Sequence, residues 1–236
     1  MSPQITTEYS KDLSTPLVGI DYEDLELDTI IRDKQGRFYT LTLYGCTSQY
    51  CLAAEVKHIE FSDEDFIFSY IEDELSSLVE QDIISEVMAL DMQIHTDKAP
   101  IGRFVFNMSE YKDALGTDLK AVQVKGAFIE KDFSGASLAC NIYHVIKDEY
   151  GCVMSDINQS VLGAKLWASS IVGKSDLTIY DLANETELGV FTDGDLNKTS
   201  KIWSSDQLTS PKDTSDLSDL INLSLDNKDH VVLLLK

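Results

Sequence analysis

The chain has 236 residues, 43% of them hydrophobic, enough to bury a core as one domain or as one domain with a smaller module. Acids outnumber bases 41 to 19, a net charge of −22 that excludes direct binding to nucleic acid phosphates and adhesion to an anionic membrane surface. No apolar run reaches the roughly 18 residues a membrane span needs, so the expectation is a soluble protein of cytoplasmic type.

Residues 1–16 carry acids, prolines and serines where a secretory leader would need basic and then apolar residues, and they read as a flexible tail. Residues 17–236 read as a single domain. IDYEDLELD, from Ile20 to Asp28, sets Leu25 and Leu27 between acids, as in an exposed-edge strand or a loop. Strands are predicted over Phe38–Tyr44 and Leu52–Ile59. The intervening GCTSQ supplies the turn of an N-terminal hairpin.

The period changes at Ser62. Ser62 followed by Asp65 has the form of a helix cap with first-turn acids. Ile67, Ile71, Leu75, Leu78, Val79, Ile83 and Val87 then recur at helical spacing, with a break near Gln81. The other faces carry Glu64, Asp65, Glu72, Asp73, Glu74, Glu80, Asp82 and Glu86, and no Lys or Arg lies between Lys57 and Lys98. This acidic helix, residues 64–86, is one-signed and without ion-pair support of its own. It is either solvated surface or a docking face for a protein partner.

Strands follow over Ile101–Met108 and Ala121–Glu130, then a helix over Ser137–Lys147, a short strand over Tyr150–Met154 and a helix over Ser160–Ser169. SDLTIYDL begins another strand. The stretch from Asp193 is polar and turn-rich, with at most a short helix near Leu217–Leu223. Val231–Leu235 is a continuous apolar run, short enough to be a strand that inserts into the main sheet. The alternation predicts an α/β fold: a mixed, mostly antiparallel central sheet with helices on both faces, an N-terminal hairpin elaboration and a C-terminal strand.

His58, His95, His144 and His230 lack metal-ligand spacing, and no calcium loop, P-loop, dinucleotide fingerprint or serine hydrolase elbow occurs. Cys46, Cys51, Cys140 and Cys152 do not form a disulfide framework and read as free thiols, with Cys46 and Cys51 neighbours around a turn. Asp132, Phe133, Ser134, Gly135, Ala136 and Ser137 form a turn between a strand and a helix. Such a junction aims backbone N–H groups at an anion.

Residues 121–171 resemble the core of the GNAT N-acetyltransferase family, in particular small acetyltransferase-like proteins encoded by phages. The family's loop, Arg/Gln-x-x-Gly-x-Gly/Ala, aligns with Ser134, Gly135, Ala136, Ser137, Leu138 and Ala139. Ile142 and Tyr143 match its helix pair, Ser155 and Asp156 its Ser-Asp, and Gln159, Ser160, Leu166 and Trp167 its Gln-Ser and Leu-Trp pairs. The sequence departs from the family at Ser134, where Arg or Gln is usual, and at Ser137, the position of the first signature glycine; Ala139 keeps the last small residue. The resemblance implies acetyl-CoA as cofactor, its pyrophosphate held by residues 134–139, and acetyl transfer to an amine or a protein lysine. Strand residues around Val122 and Val124 would polarise the thioester carbonyl, Glu130 would act as base, and Tyr143 or Tyr150 would protonate the departing thiolate. The alternative implied by the altered loop is a catalytically inactive member used as an acidic protein-binding or virion module, or as a nucleic acid mimic toward a DNA-binding protein.

Overall fold

The computed structural model describes residues 4–5, 13–15, 20–47, 49–90, 92–96, 99–135, 137–192, 203–204, 223–224 and 230–236. They form an α/β structure with a large, mostly antiparallel mixed sheet. The strands are β1 (Gln4–Ile5), β2 (Ile20–Arg32), β3 (Phe38–Cys46), β4 (Leu52–Phe61), β5 (Ile94–Thr96), β6 (Gly102–Lys112), β7 (Asp118–Ile129), β8 (Val153–Met154), β9 (Asn158–Gln159), β10 (Leu177–Asp181), β11 (Thr186–Phe191), β12 (Trp203–Ser204), β13 (Leu223–Ser224) and β14 (Val231–Leu235). The α-helices are α1 (Glu64–Tyr70), α2 (Glu80–Met88), α3 (Leu138–Tyr150) and α4 (Val161–Lys165). The chain groups into two compact units: a hairpin unit within 13–105 and 127–142, and a C-terminal unit within 1–12, 106–126 and 143–236.

In the hairpin unit the strand order is β2-β3-β4-β6, with β5 on β4. The expected hairpin is present as antiparallel β3 and β4, registered from Phe38 opposite Ile59 to Gly45 opposite Leu52. Leu41 and Leu43 are buried while Thr40 and Thr42 between them are half-buried, the period-two pattern of a strand with one face in a core. The acidic IDYEDLELD segment is the outer part of β2, on the far side of β3, and its register slips twice between Ile20 and Leu27. Acids on an edge strand discourage pairing with another chain. Cys46 N–H donates to the Cys51 carbonyl at 2.9 Å, and all four cysteines are free thiols.

The helical arm differs from its sequence pattern in three ways. The cap of α1 is Asp63, not Ser62: the Asp63 carboxylate accepts from Phe66 N–H at 2.9 Å, whereas Ser62 N–H is held by the Gln93 carbonyl. The chain passes through a π-helical turn over Ile71–Leu75, then breaks before α2. The break turns Leu78 and Val79 outward, 39% and 67% exposed, and Ile84 takes a core position instead. Ile67, Leu75, Ile83, Ile84 and Val87 pack with Phe38, Ile59 and Phe61 as one core. Finally, the acids do receive one base: Arg32 from β2 grips Glu80 with two bonds of 2.7 and 2.9 Å.

In the C-terminal unit the order is β11-β10-β14-β8-β7-β6. β7 and β8 are parallel and joined through α3; they register only at Val122 opposite Val153 and Gln123 opposite Met154. The C-terminal apolar run inserts as expected. β14 lies antiparallel between β10 and β8, and all five of its residues are fully buried. Burial on both faces explains why VVLLL is continuous rather than alternating. α3 runs three residues past its expected end at Lys147, and the strand expected from Tyr150 is only β8. Gly151, at φ +83°, sets the boundary by returning its N–H to the Lys147 carbonyl at 2.7 Å. The helix expected over 160–169 is α4 followed by a π-helical turn over Leu166–Ile171. β11 had no counterpart in the sequence reading. A second sheet of two-residue parallel strands runs β13-β12-β1-β9. The predicted short helix near 217–223 falls, up to residue 222, outside the described residues, as do Asp193 and most of the predicted tail; Leu223 belongs to β13.

Candidate functional site

The strand–turn–helix junction proposed for an anion runs from Glu130 to Ala139, within the hairpin unit. β7 ends at Ile129, and Glu130 N–H is fixed to the Ile101 carbonyl at 2.8 Å. A single 3-10 turn, Lys131–Phe133, follows. Ser134 closes it by donating its hydroxyl to the Lys131 carbonyl at 2.7 Å. Phe133 anchors the turn from below: its ring meets Tyr39 edge-on at 6.1 Å and His58 at 5.2 Å, and the Arg37 guanidinium lies 5.2 Å from its centre. Arg37 also donates to the Asp132 carbonyl at 3.1 Å.

Asp33 orients Arg37. The Asp33 carboxylate is buried and accepts from Arg37 Nε at 2.9 Å, Tyr39 OH at 2.7 Å and the Gln35 and Arg37 backbone N–H groups. Burial, and then the Asp33 carboxylate, push the Tyr39 hydroxyl far above its ordinary range, so Tyr39 is a donor and not a base.

Beyond Ser134 the backbone turns left-handed. Gly135 has φ +84° and Ser137 φ +64°; Ala136 lies outside the described residues. Ser137 then accepts from Asn141 N–H at 3.0 Å as α3 begins, and the Asn141 amide holds the Arg32 carbonyl at 2.6 Å. A left-handed serine is uncommon, because its Cβ crowds the following carbonyl. Ser137 is the position where the aligned loop has its first glycine, so the backbone adopts a glycine-type conformation without glycine. Ser134 and Gly135 are exposed, Ser137 and Ala139 half-buried, and Leu138 buried.

Of the remaining expected site residues, Val122, Val124, Tyr143 and Tyr150 belong to the C-terminal unit, and Glu130 to the hairpin unit. Val122 and Val124 are buried in β7, and Val122 N–H is taken by the Cys152 carbonyl at 2.9 Å. Tyr143 is 2% exposed and stacks on Trp167, centroids 5.7 Å apart, in the manner of a packing residue. Tyr150, half-buried, ends α3, and Glu130 is exposed.

Where β7 and β8 part, polar side chains gather. Gln123 donates to the Ser155 carbonyl at 3.3 Å and accepts from the Ser109 hydroxyl at 2.9 Å. Lys125 Nζ lies 3.4 Å from Asp156 Oδ1, which also accepts from Ile157 N–H at 2.9 Å. Gln159 donates to the Asp156 carbonyl at 3.3 Å. Ser155 is bound to β14 on both sides: its N–H donates to the Leu233 carbonyl at 2.8 Å and its hydroxyl accepts from Leu233 N–H at 3.0 Å. Ser160 caps α4 through Gly163 N–H at 3.1 Å. Thus Ser155, Asp156, Gln159, Ser160 and Trp167, the downstream part of the resemblance, each hold an element in place.

Ser109 and Gln123 carried no sequence signal as a pair. They meet only because β6 and β7 are brought together, and neither residue type at that spacing marks chemistry. Among the described residues no cluster of three or more His, Cys, Asp or Glu could hold a metal ion, and no helix is long and apolar enough to cross a membrane. No family model matches the sequence, and neither a curated protein nor a solved structure matches the chain.

Proposed function

We propose that the chain is an acetyltransferase-like protein of GNAT type that binds acetyl-CoA at residues 134–139 and passes the acetyl group to an amine or a protein lysine. The observation that carries this reading is the left-handed pair Gly135 and Ser137 at the entry to α3, φ +84° and +64°. Left-handed turns of this kind aim successive N–H groups into a concavity suited to phosphate, and the dipole of the 13-residue α3 adds to the attraction. The crossover from β7 through α3 to parallel β8 sets that turn at the carboxyl end of a strand, where α/β folds place ligands. In such a reaction the amine attacks the thioester carbonyl, the proton leaves to a carboxylate or water, and the thiolate departs. Glu130 is an exposed carboxylate beside the turn. Tyr143 is assigned to packing.

A second reading is favoured by the structural duties of Ser155, Asp156, Gln159, Ser160 and Trp167. Residues that hold the fold together would persist in a descendant that no longer catalyses, and such a protein would act by binding a partner. Calorimetry with acetyl-CoA separates the two. Micromolar binding with thiol release on a lysine peptide supports transfer. Binding without thiol release supports the inactive scaffold. No heat and no thermal shift at millimolar acetyl-CoA rejects the cofactor site altogether.

A further inference from the structure

The helical arm of the hairpin unit sets exposed apolar side chains among exposed acids. Its acids, Glu64, Asp65, Glu72, Asp73 and Glu74, are all exposed, and the sequence supplies no Lys or Arg from residue 58 to residue 97. Large apolar side chains stand exposed among them: Phe66 at 47% and Phe68 at 39% on α1, then Leu78 and Val79 at the break. Phe66 lies flat against the half-buried Tyr70, rings 5.8 Å apart and 8° from parallel, which holds its exposed side toward solvent. A solvated acidic helix gains nothing from such groups.

Phe68 forms one wall of a shallow hollow, open to solvent, shared with Phe38, Phe61, Ile67, Arg37 and Glu64. The seat of Phe68 is built into the adjoining turn. Gly36, at φ +82°, leaves open the space its ring occupies, since a Cβ there would come within 2.6 Å of Phe68 Cε1. The hollow is a surface depression rather than an enclosed small-molecule site, and what it offers a partner is the exposed edge of Phe68. Glu64 contributes a carboxylate to its lining.

We infer that this arm docks a basic, amphipathic segment of a partner protein, with one aliphatic side chain seated beside Phe68 and flanking lysines or arginines facing the acids of α1 and the π-helical turn. The sign of the surface selects the occupant: nucleic acid and a second copy of this acidic chain are both repelled, whereas a basic helix is steered in. Exposed ion pairs contribute little individually, so the apolar anchor supplies the discrimination. The inference does not depend on acetyl-CoA, and a protein that fails to bind the cofactor can still satisfy it.

The test uses two fluorescent synthetic peptides of equal charge, one an amphipathic lysine–leucine sequence and the other with glutamine in place of leucine. Anisotropy is read on the full chain at physiological salt. The lysine–leucine peptide is expected to bind at least about tenfold tighter than its glutamine counterpart. Glu64→Gln with Glu72→Gln, at two exposed positions, and separately Phe68→Ser, should each weaken it about tenfold. The double Gln variant keeps the core intact, so its result stands even where Phe68→Ser lowers the melting temperature. Equal affinity for the two peptides, no binding of either, or affinity indifferent to these substitutions overturns the inference. A dimer in sedimentation that Phe68→Ser abolishes overturns it also, by giving the surface to a second copy.

Discussion

Ser137 shows how a residue can hide the conformation it serves. Its φ of +64° places Cβ against the next carbonyl, a cost of roughly 1–2 kcal/mol for an L-residue, which glycine escapes while losing more chain entropy on folding. Ser137→Gly is therefore expected to raise the unfolding free energy read from urea denaturation by up to about 1 kcal/mol, and Ser137→Val to lower it by about 1–2 kcal/mol, because a β-branched residue tolerates this region worst. Equal midpoints for all three proteins would mean that the turn relaxes to right-handed backbone in solution. In the sequence Ser137 stands as a lost glycine, and nothing in the letters discloses that the backbone kept glycine's geometry. Gly135 was legible as a turn residue and has positive φ, whereas Gly151, expected inside a strand from Tyr150, ends α3 at φ +83°. The Ser109–Gln123–Ser155 contacts were not legible, since three separate segments meet there and no local period encodes the meeting.

At the scale of elements, strands with one clean face were easiest to place. β3 alternates, and β14 is too short and too apolar to be anything but a buried strand. What the letters did not contain was its position, between β8 and β10, which is a non-local choice. β11 escaped because Leu188 and Val190 are exposed at the edge and Gly189 interrupts the run, so no buried face marks the strand. The break before α2 misled the stripe at Leu78 and Val79 for a related reason: helical periodicity presumes that the helix continues. The internal place of β14 leads to a firm expectation. Val231, Val232, Leu233, Leu234 and Leu235 are fully buried, and each contributes roughly 1.5–3 kcal/mol by burial, a sum comparable with the 5–15 kcal/mol that typically holds a whole domain. Leu233→Asp, or removal of residues 231–236, should leave the chain without a cooperative thermal transition in the C-terminal unit. Leu233→Val should keep the transition at a cost of about 1 kcal/mol. Persistence of a sharp transition after the deletion would show that β8 and β10 can close the gap without β14.

Charge acts on the whole molecule. With 41 acids against 19 bases, the acids outnumber the bases that could pair with them; the ion pairs among the described residues include Arg32 with Glu80, Arg37 with Asp33, Arg103 with Glu55, and lysine pairs such as Lys125 with Asp156. Two of these, Arg37–Asp33 and Arg103–Glu55, involve buried carboxylates and are only weakly screened by salt; the rest are partly exposed. Self-repulsion among the remaining acids is long-ranged and is screened as the Debye length shrinks from about 30 Å at 0.01 M to about 3 Å at 1 M. The two effects oppose each other, and their ranges decide the sign. Because the net charge of −22 makes repulsion the larger long-range effect, sodium chloride raised from about 0.01 to 0.5 M should increase the melting temperature by a few degrees. The Glu64→Gln, Glu72→Gln variant, carrying a net charge less negative by two, should melt higher than the parent at low salt and converge with it at high salt. A melting temperature that falls with salt would mean that attraction, concentrated in pairs such as Arg32–Glu80, outweighs the repulsion. It would also weaken the case for an acidic surface held open for a basic partner, since unrelieved repulsion is what such a partner would neutralise.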